Sequence, residues 1–471
     1  MSVNVSLMSF DPFTRYRAHI PDVLTPGARC IPSPASRREE IEAFHHSARQ
    51  MAEEFRSFFK ESDGVEPRPE ALLTPEQECL VSTWLDTAEG KRACNGVADR
   101  VISFLSASIG HGHPGHDKRH VLFKDPIAGL RLALEEDLSP CRQLFIIPSL
   151  LHDVGRLYEP AVFARPQSGV AAVDHAALSF LVAHYVLADD FRTESADVEL
   201  ALALAKLRNE LLNAILDHQT GNSRGSFIAQ AVQRADREQL VGYEILHRSL
   251  SFDVGFHGLQ IRGMKIPERF HSLALPGHQD GVHLFHHVEF YMRNLFANVG
   301  SQAERHSDKG KIESGRFLWL AASPEMRAQI FAPEIARDRG NVIPQGTYKS
   351  PLEPHVWRAI HEYSTDQRLD ELATFRGLRS LRDLAREFVH PPYATRSDVP
   401  GSENWPRIDA ALNLLSPLEK RRMGDALSYG LLLAQEVTRE DRGIIDAAAA
   451  RFGAGDGSLL GRVAAFTRNL T

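Results

Sequence analysis

Two adjacent polar residues, His152 and Asp153, follow a largely apolar run that begins at Leu144. Such a run is typical of buried chain, so the pair is expected to lie at the edge of the hydrophobic core. A buried carboxylate costs several kcal/mol unless it is paired with a cation or coordinates a metal ion. The chain has 22 histidines, and a His-Asp pair arises by chance at that frequency, so the pair alone is a weak signal.

Three further polar residues interrupt apolar patterns at helical spacing. His175 begins one such pattern, and His218 follows Ile215 by three residues on another. Asp236 stands four residues after Val232 on a third apolar stripe, where an acid requires a nearby cation. Imidazole and carboxylate groups are good ligands for transition metals. Together with the His-Asp pair, these three residues form a candidate set of metal ligands.

The order of these residues resembles the H…HD…H…H…D signature of the HD superfamily of metal-dependent phosphohydrolases, with His120 in the first position. The local sequences are also similar to the family's: GHDKRHV at the first histidine, LLHDVGR at the pair, and DHA, ILDHQ and RADRE at the later positions. The resemblance covers residues 110 to 245. The first position stays open because several histidines lie close together; the candidates are His111, His113, His116 and His120.

The resemblance implies an HD-type helical bundle that binds two divalent transition metal ions, with Mn, Fe, Co, Ni or Zn as candidates. It also implies one group of ligands for each ion, with Asp153 bridging the two. These groups are His120, His152, Asp153 and Asp236 for one ion, and His175 and His218 with the shared Asp153 for the other. A pair of such ions activates water for attack on phosphorus. The implied activity is hydrolysis of a phosphoester, which could be a nucleotide, a cyclic nucleotide or another small phosphoester.

Two basic residues are candidates for holding the phosphate group. Arg156 lies three residues after Asp153, where the family often has lysine, and its guanidinium could form two parallel hydrogen bonds to phosphate. Lys124 lies one helical turn after His120 and is a second candidate. Either side chain could instead belong to a structural ion pair. With the bridging Asp153, these two residues are the predicted catalytic residues.

Two other classes of protein are compatible with the same ligand order. One is a mixed-valent di-iron oxygenase, which uses the six-ligand pattern to bind O₂; the identity of the metal would distinguish it from a hydrolase. The other is a non-catalytic sensor that binds a nucleotide at an HD-like site. The complete ligand set argues against the sensor, because a site kept only for binding could lose ligands.

The elements that must position these residues are predicted to be helices. Helical periodicity recurs along the chain and alternating strand patterns are scarce, so the predicted fold class is all-α. Residues 34–60 indicate one helix, and Ser416 and Glu419 form a capping-box signature for another that should end near Val437. The polar, glycine-containing stretch 298–315 is predicted to be an exposed loop or linker.

A chain of 471 residues is longer than a single hydrophobic core usually supports, so several regions are expected. We predict an N-terminal helical region (1–100), an HD-type metal-dependent phosphohydrolase domain (101–300) and a C-terminal helical region (301–471). The terminal regions could cover the central one or form the surface of a homodimer.

Composition limits the expected partners. The chain has no apolar run long enough to span a bilayer and no signal-like N-terminus, so a cytoplasmic protein without membrane partners is expected. The net charge of -7 gives no general attraction to nucleic acid, although a local basic groove could still bind it. The expected partner is a small-molecule phosphoester that resembles a nucleotide.

Overall fold

The computed structural model describes most of the chain in separate stretches. These are residues 38–64, 66–107, 120–155, 175–187, 196–218, 225–238, 308–322, 331–340, 352–363, 416–453 and 458–470, with a few single residues and pairs between them.

Helices make up the regular structure of these residues, which confirms the predicted all-α fold class; the single extended pairing among them is an isolated bridge between Lys60 and Pro67. No described helix is both long enough and apolar enough to cross a membrane. A π-helical turn, His120–Lys124, leads into the fourth α-helix. The α-helices are α1 (Arg38–Phe59), α2 (Pro75–Leu85), α3 (Ala88–Ala107), α4 (Asp125–Glu135), α5 (Pro140–Gln143), α6 (Ile146–Leu151), α7 (His175–Val186), α8 (Val198–Asp217), α9 (Phe227–Glu238), α10 (Asp308–Ala321), α11 (Ala332–Asp338), α12 (Pro354–Tyr363), α13 (Pro417–Phe452) and α14 (Leu459–Leu470).

The described residues fall into two compact units. The first comprises those up to Asp236 together with those from Asp441 onward, and the second comprises those between Arg237 and Glu440. The boundary after Glu440 falls within α13, so this helix contributes residues to both units. Each unit has its own cluster of buried apolar side chains. The three functional regions predicted from the sequence stay a prediction.

Local sequence signals fix where two helices begin. Before α13, the backbone N–H of Ser416 donates to Glu419 Oε2 at 2.8 Å, and the backbone N–H of Glu419 donates to Ser416 Oγ at 3.3 Å. This is the predicted capping box, which satisfies two backbone donors at the start of the helix. Thr74 and Gln77 form the same arrangement at the start of α2.

Helix α13 is longer than the sequence predicts, because it continues past Val437 to Phe452. The added turns bury Asp441, Ile445 and Ala448, which recur at steps of three and four residues. Charged residues surround this stripe in the sequence and make its apolar face hard to recognise.

The prediction of a loop over 298–315 is wrong from Asp308 onward, since α10 begins there. Residues 298–307 lie outside the described residues. The small residues that resemble a loop form a packing surface, on which a Cβ atom at Gly315 would lie 2.3 Å from Ile360 Cδ1 of α12. Glycine therefore allows α10 and α12 to approach each other closely.

Helix α7 lies in the core of the first unit. It is buried on every side, and only Tyr185 among its residues is exposed. A helix of this kind must be covered all round, and α1, α6 and α8 pack against it. The rings of Phe55 on α1 and Phe180 on α7, for example, have centroids 4.9 Å apart. The polar residues that follow α6 and α8 lie beside the start of α7.

A partly buried carboxyl, that of Glu313, makes the stability of the second unit depend on pH. Burial raises the pKa of Glu313 on α10 to about 7 from the usual 4.5, because the charge of Lys309 only partly offsets burial and the neighbouring Glu436 and Glu440. Between these two pH values the folded state keeps a proton that the unfolded chain has released. The stability contributed by this site therefore falls as pH rises through this window.

We expect Glu313→Gln to stabilise the protein at pH 8 by about 1 to 3 kcal/mol, at about 1.36 kcal/mol per pKa unit, because the amide never ionises. At pH 4, below both pKa values, the variant and the wild type should unfold at nearly the same temperature. Thermal unfolding followed by circular dichroism at both pH values tests this, with Glu362→Gln as an exposed control. Equal stability of the variant and the wild type at pH 8 would contradict the assignment.

Candidate metal centre

The six predicted ligands stand at the ends of five elements of the first unit, and the structure brings them together. They are His120 in the π-helical turn before α4, His152 and Asp153 after α6, His175 at the start of α7, His218 after α8, and Asp236 in the last turn of α9. Five of these side chains are buried, and Asp236 is 17 % exposed. The cluster therefore lies inside the helical unit with one edge toward solvent.

Asp153 is at the centre of the cluster. Its Oδ2 lies 2.9 Å from His120 Nε2 and 3.9 Å from His152 Nε2. Its Oδ1 lies 3.3 Å from His175 Nε2 and 3.7 Å from His218 Nε2. The two oxygens of one carboxylate thus face different pairs of histidines.

The ligand atoms form two groups that share Asp153. Within each group the atoms lie within 4.8 Å of one another, so one metal ion could contact all of them. The groups are His120, His152, Asp153 and Asp236, and Asp153, His175 and His218. This is the grouping that the family resemblance implies. The described residues therefore include a buried cluster of histidine and aspartate that could hold metal ions.

Backbone carbonyl groups orient two of the histidines toward the cluster. Nδ1 of His152 is 2.8 Å from the carbonyl oxygen of Ser149, and Nδ1 of His218 is 2.6 Å from that of Ile215. A carbonyl oxygen can only accept a hydrogen bond, so each Nδ1 carries the hydrogen and donates it. In the neutral ring Nε2 then presents a lone pair, which is the arrangement that metal-binding histidines use.

The Nε2 atoms have an environment that suits a cation. His152 Nε2 is buried and has no hydrogen-bond partner among the described residues; the nearest oxygen of Asp236 is 3.6 Å away. His218 Nε2 points its lone pair at His175 Nε2, at 3.2 Å. A proton or a metal ion would have to occupy the space between such nitrogens. These donors therefore fit a metal ion.

The electrostatics of the cluster also favour positive charge. Burial opposes protonation of His152, but the carboxylates of Asp125, Asp153 and Asp236 outweigh it and raise the pKa of His152 to about 10. Burial lowers the pKa of His218 to about 4, and the charge of His152 acts in the same direction. Burial also favours the neutral form of Asp236, but contact with His152 outweighs it and holds the pKa of Asp236 below its usual value. The carboxylates thus attract a cation, for which protons and metal ions compete.

A close approach between two segments fixes the position of Asp153. A Cβ atom on Gly155 would lie 2.2 Å from the carbonyl oxygen of His175, so only glycine fits there. The backbone N–H of Gly155 donates to Ser179 Oγ at 2.8 Å. Because this turn packs directly on the first turn of α7, Asp153 and His175 lie close together.

A buried polar network holds α8 and α9 beside the cluster. Lys60 Nζ lies 2.6 Å from Asp217 Oδ1, and Asn213 Nδ2 donates to the other oxygen of Asp217 at 3.0 Å. Gln233 on α9 donates its amide to the backbone carbonyl of Asp217 at 2.7 Å. The residue after Asp217 is the candidate ligand His218, so this network positions that side chain.

Asp125 is a residue of the site that sequence reasoning missed. Its side chain is 1 % exposed, with Oδ1 3.5 Å from His120 Nε2 and Oδ2 4.0 Å from His152 Nδ1. It lies five positions after His120, and residues at that step do not share one face of an α-helix. The π-helical turn between them lets both side chains face the cluster, and periodicity gave no signal for this turn.

The structure describes some of the other predicted site residues, namely the phosphate-binding candidates and the alternatives for the first ligand, and not others. Lys124 Nζ lies 2.5 Å from Asp441 Oδ2, and both side chains are buried. The ammonium group of Lys124 therefore forms a buried ion pair with Asp441. Its predicted contact with phosphate stays a prediction. Arg156 lies outside the described residues, as do His111, His113 and His116, the alternatives for the first ligand. The position of His120 within the cluster supports it as that ligand.

No protein-family model matches the chain, and no curated protein or solved structure is similar enough to count as a match. The residues of this chain and their geometry are therefore what indicate its function.

We expect Asp153→Asn to lose more bound metal than His218→Ala, because Asp153 belongs to both ligand groups and His218 to one. Metal content of protein purified without chelator, measured by elemental analysis, tests the order. His46→Ala, which removes an exposed histidine from α1, is the control and should keep the wild-type content. Equal metal content in the two site variants would refute the shared role of Asp153.

We also expect Asp125→Asn to weaken metal binding by about 10- to 100-fold, as loss of a residue that supports metal ligands typically does. The amide keeps the size of the side chain but removes the negative charge beside His120 and His152. Competition with a chelator gives the affinity, and the exposed Asp137→Asn is the control. An affinity equal to that of the wild type would show that Asp125 has only a packing role.

Proposed function

We propose that this protein is a metal-dependent phosphohydrolase of the HD type that hydrolyses a small phosphoester, such as a nucleotide or a cyclic nucleotide. The observation that carries the proposal is the shared carboxylate of Asp153, whose two oxygens face separate groups of buried nitrogen ligands. The order of the six ligands in the sequence, which resembles the family signature, also supports it.

The donor set suggests which ions would be held. Imidazole nitrogen and carboxylate oxygen suit Mn, Fe, Co, Ni or Zn better than Mg. One ion would be held by His120, His152, Asp153 and Asp236, and the second by His175, His218 and the shared Asp153. When bound, two such ions polarise a water molecule into a nucleophile and neutralise charge on the phosphoryl group.

The residues of the chain would balance the charge of the metal ions, orient the histidine rings and leave one side open to the substrate. Three carboxylates, Asp125, Asp153 and Asp236, only partly neutralise two divalent cations, so the site would attract an anionic substrate. The carbonyl groups behind His152 and His218 keep these rings aimed at the centre. Asp236 is the partly exposed member, and the substrate would approach along its edge of the site.

The basic side chain that would bind the phosphate group is proposed from the sequence alone. Arg156 follows Asp153 by three residues, and its guanidinium suits two parallel hydrogen bonds to phosphate. Lys124 is the weaker candidate, because its ammonium group contacts the buried Asp441.

We expect protein loaded separately with Mn, Fe, Co, Ni or Zn to hydrolyse members of a panel of nucleotides, cyclic nucleotides and simple phosphomonoesters. Phosphate release should be equal in air and without oxygen, should stop with chelator, and should be absent in Asp153→Asn. The exposed Asp137→Asn is the control and should keep wild-type activity.

Two other results would replace the proposal. Turnover that strictly requires iron and O₂ would identify the oxygenase. Saturable nucleotide binding without any phosphate release would identify the non-catalytic sensor.

A further inference from the structure

A buried ion pair lies beside the candidate metal ligands and is not explained by them. Lys124 is the last residue of the π-helical turn, and its Nζ lies 2.5 Å from Asp441 Oδ2 on α13. The two side chains are 4 % and 3 % exposed. Neither residue belongs to the two ligand groups that share Asp153. The pair therefore needs a separate reason.

Stability alone does not account for this pair. Taking two charges out of water has a large cost, and an apolar pair of similar size is often at least as stable in a protein core. Apolar packing already joins the same segments, since Phe123 in the turn, Ile127 on α4 and Ile445 on α13 form a buried cluster. Unlike such packing, an ion pair requires one particular atom to meet another. It therefore suits a role in fixing the position of Lys124.

The position of Lys124 matters because two helical registers are possible at this turn. In a regular α-helix Lys124, four residues after His120, would share the face of that histidine, and Asp125 would lie about 140° away around the axis. In the structure Asp125 Oδ1 instead lies 3.5 Å from His120 Nε2, while Lys124 contacts Asp441. The π-helical register thus places a carboxylate, and not an ammonium group, beside the candidate ligands. Such turns are rare and short, so this register needs support from contacts outside it.

We propose that the Lys124–Asp441 pair selects the π-helical register, which makes Asp441 a positioning residue for the candidate metal centre. Asp441 holds the ammonium group of Lys124, and Asp125 is left to face His120. This inference rests on the proposed metal-dependent function, because Asp125 acts there on bound cations. Without the pair, the turn returns to the α-helical register, in which Asp125 no longer supports His120 and His152.

The test is titration of the full chain with Co²⁺, followed by visible absorption and by competition with a chelator. The double variant Lys124→Met/Asp441→Leu removes both charges and leaves no buried ion unpaired, so it should unfold close to the wild-type temperature. We expect its affinity for Co²⁺ to fall by about 10- to 100-fold, as for loss of a residue that supports metal ligands. Asp446→Asn is the matched control, because this exposed acid on α13 pairs with Arg468 at 2.7 Å, and it should bind Co²⁺ like the wild type.

A third substitution separates positioning from a general loss of structure. Asp125→Asn should weaken Co²⁺ binding in the wild type, but in the double variant it should change the affinity by less than about twofold, because Asp125 has already left the site. The proposal is overturned by an equal effect of Asp125→Asn in both backgrounds. Wild-type affinity in the double variant, or its failure to fold, would also overturn it.

Failure of the proposed function gives a different result. If the wild type itself binds no Co²⁺, the candidate metal centre is refuted, and the positioning role with it. If the wild type binds Co²⁺ and the double variant binds it equally well, the positioning role alone is refuted.

Discussion

The carboxylate of Asp153 sets the constraint on which the first unit depends. A charged acid with 2 % exposure is stable in a helical core only if positive charge surrounds it. His152, whose pKa the neighbouring carboxylates raise, supplies positive charge beside it, and the four histidines around it come from the ends of four different elements. The helices must therefore converge at one point, and the geometry that stabilises the acid is also the geometry that a metal ion needs.

Contacts outside the cluster keep this convergence in place. Gly155 lets the turn that carries Asp153 pack on the start of α7, and the Lys60–Asp217 pair fixes the end of α8. Each contact is itself a buried polar group with a matched partner. The core around the site is thus held by specific hydrogen bonds as well as by apolar packing, which restricts how far the ligands can move.

The sequence predicts those parts of the structure that follow from local rules. Helical class and the Ser416 capping box depend on periodicity and on neighbours a few residues away, and both are confirmed. Five of the six candidate ligands could be predicted because each is a polar residue on or beside an apolar pattern, whereas His120 followed from the family resemblance. Asp125 could not be predicted, because a π-helical turn changes which residues share a face of the helix. The contact between Lys124 and Asp441 spans more than three hundred residues, so spacing could not reveal it.

The path of the chain has a consequence for any attempt to isolate the site. The first unit is discontinuous, because Asp441 and helix α14 belong to it although the second unit comes before them in the sequence. A fragment that ended near residue 300 would lack the acid that faces the buried Lys124 and the apolar face of α14 that includes Leu460 and Val463. Such a fragment would contain all six ligands and still have an open core. The shortest independently folding piece should therefore keep both ends of this unit, with the intervening residues retained or replaced by a linker.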